Sequence, residues 1–118
     1  MVEQDNILEY VYSFLNEVLP DKVYYSLNIS ERINLPFIVY QEISKKSPLY
    51  ADDDYVFKRR VIQITLITKS KQIEIERRLE NKLTENDIDY ILVSEFFINE
   101  VGLHRVYEIK MEEFKYEQ

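Results

Sequence analysis

The sequence predicts a small α+β domain. In this two-layer sandwich, two helices cover one face of an about four-stranded, mainly antiparallel sheet, and a long loop joins the first two main strands. Three observations predict it. Apolar residues recur at helical spacing in two stretches, around Ile7–Val18 and Ile75–Leu83. Period-two alternation marks the other apolar stretches, most clearly after Arg60, where Ile62, Ile64 and Leu66 point one way and Arg59, Val61, Gln63, Thr65 and Ile67 the other. A chain of 118 residues, 46% hydrophobic, suffices for one core but not two, so residues 1–118 read as a single domain. Two helices cannot cover both faces of a four-stranded sheet and also pack on each other. Both are expected on one face.

Taken in order, Asp5 or Asn6 can cap the first helix, whose apolar face is Ile7, Leu8, Val11, Phe14, Leu15 and Val18. Pro20 stops it. Val23–Leu27 reads as a possible short strand and Asn28–Asn34 as a polar connector. Pro36 opens a strand, PFIVYQEI, since proline is permitted at a first strand position. Ser44–Tyr55 is then a loop of the length that is usually functional or disordered, and the loop as a whole is expected over 44–57. A strand from Lys58 to Thr68 follows. Ser70 can cap the second helix, with Ile75, Leu79 and Leu83 inward. Asn86-Asp87 ends it. Ile88–Phe97 is a strand with Ile88, Tyr90, Leu92 and Phe96 on one side and Ile91, Val93 and Phe97 on the other. Gly102 turns the chain into a last strand, Leu103–Phe114, with His104, Glu108, Lys110 and Glu112 outward. The tail KYEQ is expected to fray. The expected core is Leu8, Val11, Leu15, Ile62, Ile64, Leu66, Leu79, Leu83, Leu92 and Ile109. Ile67, Ile91, Val93 and Phe97 are then left on the uncovered sheet face, and an apolar patch of that kind marks an interface.

Composition excludes several function classes. Net charge is −7, from 15 basic and 22 acidic residues, which is not the electrostatic footprint of a nucleic-acid binder. No apolar run approaches the roughly 20 residues of a membrane helix, and the acidic N-terminus MVEQDN is not a signal peptide. The absence of cysteine removes disulfides and thiolate metal sites and fits a reducing compartment. A single glycine leaves no phosphate-binding loop. Ten tyrosines suit half-wet protein interfaces, and equally an AT-rich coding bias.

Few residues suggest chemistry. Asp52, Asp53 and Asp54 are consecutive, so on an extended chain they do not converge on one cation. They lack the alternate spacing and the glycine of a calcium loop, and a solvated charge cluster is the reading. The run could also meet Lys58, Arg59 or Arg60 of a neighbouring subunit. Asp89 with Glu108 and Lys110 imitates the two-carboxylate and lysine set of a metal-dependent nuclease core, a weak motif in an acidic chain. His104 is the only histidine, without a partner for catalysis or metal binding, and is expected at the surface or in an interface. No cofactor site and no catalytic residue is expected.

One signature spans nearly the whole chain. A helix ending in Leu19-Pro20 is followed by VYYS. A PFIVYQE strand leads into LYADDDYVFKRRVIQITLITK, and an IEIERRLENKL helix precedes SEFFINEVGLHRVYEIKMEEF. Tyr50–Asp53 and Gly102–Ile109 carry it most strongly. This pattern resembles the tail-completion, or tail-terminator, proteins of long-tailed phages and prophages of Gram-positive bacteria. The resemblance implies a non-enzymatic structural protein, without cofactor. It implies a ring, typically of six subunits, at the head-proximal end of the tail tube, which ends tube polymerisation and presents a surface to the head connector or stopper. Its partners would be other copies of itself, the major tail tube protein and the head connector. DNA would pass through the lumen without specific binding, and no membrane is involved. The protein would reside in the virion, and in host cytoplasm during assembly. Tyr50, Asp52, Asp53, Asp54, Tyr55, Arg59, Arg60, Ile91, Val93, Phe97 and His104 are then the candidate subunit or partner contacts. Other neck ring proteins share these features.

Overall fold

The computed structural model describes residues 7–26, 33–45, 49–50 and 55–116. The elements are α1 (Ile7–Val18), β1 (Val23–Tyr25), β2 (Phe37–Lys45), β3 (Leu49–Tyr50), β4 (Tyr55–Thr68), α2 (Ile73–Glu85), β5 (Tyr90–Ile98) and β6 (Gly102–Tyr116). The fold is α+β with a mixed sheet in the order β1-β2-β4-β6-β5, and the short β3 pairs with β4 off that path. Only β1–β2 is parallel; every other pairing is antiparallel.

Both helices lie on one sheet face and share one core. Ile7, Val11, Phe14, Leu15 and Val18 of α1 and Ile75, Leu79 and Leu83 of α2 meet Ile38, Tyr40, Ile62, Ile64, Leu66, Tyr107, Ile109 and Met111 from the sheet. The parity read for the central strand is the observed one. Leu8 is only partly buried against this core, and Leu92, expected inside, is 44% exposed on the outer strand β5.

The helix ends follow local chemistry. α1 ends at Val18, two residues before Pro20, and Asp21 takes a left-handed conformation with φ 61. Its N–H donates to Asn16 Oδ1 at 3.0 Å. The candidate caps Asp5 and Asn6 lie outside the described residues. Gln72 stands at the N-cap of α2 and makes no side-chain cap hydrogen bond, so Ser70 does not serve; Glu74 and Glu76 in the first turn meet the positive end of the helix dipole instead. Its C-terminus is a Schellman motif. The Ile88 N–H donates to the Leu83 carbonyl at 2.9 Å and the Asp87 N–H to the Thr84 carbonyl at 3.0 Å, with Asp87 left-handed at φ 56. Buried Ile88 supplies the apolar contact that accompanies such a cap.

The connection expected as a loop over 44–57 is partly strand. β2 continues through Lys45, Leu49 and Tyr50 pair with Phe57 and Val56, and β4 begins at Tyr55 rather than Lys58. At its far end β4 is matched residue for residue with β6, so Tyr55 pairs with Tyr116 and the last strand outruns its expected end. Backbone pairing thus extends where the side-chain pattern loses its alternation.

Candidate functional site

The sheet leaves one nine-residue strand on its edge. β5, YILVSEFFI, is rich in β-branched and aromatic residues and carries a single charge, Glu95. One side pairs with β6 through a hairpin turned at residues 99–101, where Glu100 has φ 69 and the Val101 N–H donates to the Ile98 carbonyl at 3.1 Å. Gly102 enters β6 at φ +143, a conformation few other residues adopt; a Cβ there would lie 2.5 Å from the Thr68 carbonyl oxygen. Among the described residues, the other side of β5 has no strand partner.

The pairing register shifts between Leu92 and Ser94, which makes Val93 a bulge. A one-residue slip exchanges the faces of every following side chain. Leu92 sits opposite Tyr107 on the helix side, but past the bulge Phe96 sits opposite His104 and Phe97 opposite Leu103. Phe97 therefore belongs to the helix side of the sheet, and Phe96 with Ile98 joins Ile91 on the open side. The two-sided division expected for β5 fails at that one residue. Ile91, Val93 and Phe97 are nevertheless all exposed, at 56%, 53% and 59%.

On the open face, Phe96 and Ile98 form one wall of a trough of about 220 Å³, whose other sides are Val39, Gln41, Gln63, Thr65, Ile67, His104 and Val106. None of these residues carries a fixed charge. Ile67, expected in an exposed patch, is buried. His104 is not a surface side chain either. It is buried, stacks on Phe96 with ring centroids 5.2 Å apart, and has Nδ1 3.0 Å from the Gly102 carbonyl oxygen, so Nδ1 carries the proton and donates. Its Nε2 is buried without a hydrogen-bond partner among the described residues.

A charged network fixes this edge to α2. Arg105, only 16% exposed, donates from Nη1 to Glu95 at 3.1 Å, from Nη2 to Glu80 at 3.1 Å and from Nε to the Tyr107 hydroxyl at 2.6 Å. The Tyr107 hydroxyl in turn donates to Glu80 at 2.6 Å, and Tyr90 does so at 3.3 Å. Lys71 bridges Glu76 and Glu95 at 2.8 and 2.9 Å. Burial works against the Glu80 charge, but the hydrogen bonds from Tyr107 and Arg105 outweigh it and hold its carboxyl below the ordinary range. The Lys71 hydrogen bond does the same for Glu95. Burial first, then the bond to Glu80, pushes the Tyr107 hydroxyl up. Sequence reasoning missed this group. Its signal was present: Glu76 and Glu80 lie one helical turn apart, and Arg105 and Tyr107 share a strand face.

The remaining candidates sit elsewhere. Asp52, Asp53 and Asp54 lie outside the described residues. Tyr50 ends β3 and Tyr55 begins β4. Arg59 is exposed and pairs with Glu112 across the strands at 3.4 Å, while Arg60, nearly buried, pairs with Glu42 at 3.2 Å. Asp89, Glu108 and Lys110 do line a common cleft of about 670 Å³, together with Arg59 and Glu112. Among the described residues, no three His, Asp or Glu side chains come together to hold a metal ion, and no helix is long and apolar enough to cross a membrane.

Compared with known proteins, the chain matches no family model and no curated protein.

Proposed function

We propose that this chain is a structural phage protein. It forms a ring, of six subunits, at the head-proximal end of the tail tube, ends tube polymerisation and joins the tail to the head connector. The observation that carries this reading is the β5 edge. Six of its nine residues are exposed large hydrophobics, on a strand with no partner on its outer side among the described residues. An open, apolar edge is an aggregation hazard that soluble monomers avoid, so its retention points to a protein partner. Net charge −7 suits a lumen through which DNA passes without being held. The sequence pattern described above supplies the identity of the assembly; a connector or stopper ring in the same neck is the nearest variant of it.

The reading is tested by adding the purified protein to growing tail tubes. Tubes that stop lengthening and carry a ring at one end support it, and undiminished growth contradicts it. A second reading, metal-dependent cleavage of DNA, draws on the shared cleft of Asp89, Glu108 and Lys110. Plasmid cleavage in magnesium that is lost in Lys110→Ala would favour that reading.

A further inference from the structure

The exposed large hydrophobics are not scattered. Of ten among the described residues, six lie on β5 between Ile91 and Ile98, and three, Tyr12, Tyr25 and Ile43, belong to α1, β1 and β2 at the other end of the sheet. Tyr25 packs edge-to-face on Tyr40 at 5.1 Å, so the exposed ring of β1 is seated against β2. The sheet order puts β1 on the edge opposite β5, and among the described residues β1 also lacks an outer partner. The two edges differ in kind, one aliphatic and phenylalanine-rich, the other built of tyrosine.

Resting on the ring reading above, we propose that the subunit contact is head-to-tail, with β5 of one copy against the β1 edge of the next. Strand direction favours it. β5, β6, β4 and β2 alternate in direction, and β1 runs parallel to β2, so β1 points opposite to β5. A second copy that continues the sheet with its helices on the same side therefore meets β5 in antiparallel pairing, the more stable kind. Charge favours it as well. VYY and YILVSEFFI contain one charge between them, Glu95, already held by Arg105 and Lys71. Two chains of −7 meet there without apposing like charges. A contact between two different surfaces repeats from copy to copy, and closes into a ring or continues as a filament; a two-fold contact of β5 with itself would end at a dimer. Because β1 has only three residues, the pairing is short and the free protein associates weakly.

The chain has no cysteine, so single cysteines report contacts cleanly. Val93→Cys marks β5 at an exposed bulge, and Ser26→Cys marks the end of β1. Each variant alone, and the two mixed, are treated at high protein concentration with a short thiol cross-linker. Circular dichroism checks that both are folded. The head-to-tail contact gives a cross-linked dimer in the mixture and not in either variant alone, and the double variant gives a ladder of multimers. Self-linking of Val93→Cys alone means a two-fold contact and overturns the proposal. So does the absence of any cross-link, including under conditions where microscopy shows rings, in which case the ring reading survives and this contact does not. Cross-links in the mixture with open filaments only would keep the contact and remove the ring.

Discussion

Replacing Arg105 with Met removes the one cation that Glu80, Glu95 and the Tyr107 hydroxyl all share, while keeping a stem of similar length. Breaking a buried ion pair by deleting one partner costs about 3–5 kcal/mol, because the other charge stays buried. Here Glu80 and Glu95 are 26% and 30% exposed, so water recovers part of that cost. Lys71 still serves Glu76 and Glu95. The expected loss is at the low end, about 3 kcal/mol. For a chain of this size that is a fall in Tm of about 10 °C. The pH dependence gives an independent check. Folding lowers the carboxyl pKa of Glu80 and Glu95, so their contribution is complete above the unfolded value, about 4.3, and is lost as pH falls through the folded values. The native protein should lose stability on acidification below about pH 4, and Arg105→Met, in which Tyr107 and Lys71 still hold Glu80 and Glu95 but the Arg105 part is gone, should show a somewhat shallower decline. Urea denaturation at several pH values measures both. A loss under about 0.5 kcal/mol at neutral pH, or parallel acid limbs, would mean that Arg105 does not stabilise these carboxylates.

Three further outcomes are expected. Leu79→Ala, at a fully buried core position, should cost about 2–5 kcal/mol, whereas Leu92→Ala on the exposed edge should stay within about 0.5 kcal/mol; equal losses in urea melts would mean that β5 packs differently. Gly102→Ala combines an unfavourable φ with a Cβ 2.5 Å from the Thr68 carbonyl oxygen, and thermal melts should show a loss of about 1–3 kcal/mol. Changing Asp52, Asp53 and Asp54 to lysine should leave circular dichroism unchanged but impair head–tail joining, by apposing like charges at a subunit contact or by gripping DNA phosphates. Unjoined tails would mark the first cause and complete particles that eject poorly the second, while a normal phage yield would remove this segment from the functional surface.

The layout was legible wherever a single period governed a stretch. Ile62, Ile64 and Leu66 alternate without interruption and bury as expected, and Ile75, Leu79 and Leu83 repeat every four residues along one helix face. Legibility failed where backbone geometry broke the period. The bulge at Val93 leaves no composition signal in a run of apolar residues, so Phe96 and Phe97 exchange faces unannounced. His104 has the parity of an outer-face residue and indeed faces away from the helices. It is buried because Phe96, brought round by the bulge, stacks upon it. β3 is two residues long and pairs only with the start of β4, a contact between backbones that side-chain pattern does not encode. The Arg105 network was overlooked for another reason. A pattern search treats charge as a sign of solvent, and here three elements bring charges together tightly enough to exclude most of it.

In the proposed role, this chain ends a phage tail tube and joins it to a head. The deciding measurement is electron microscopy of lysates from the source strain after phage induction, with and without the gene for this chain. Filled heads lying free beside tails of uncontrolled length are expected when the chain is missing, and normal particles when it is supplied in trans. Joined, infectious particles with tails of normal length in its absence would contradict it.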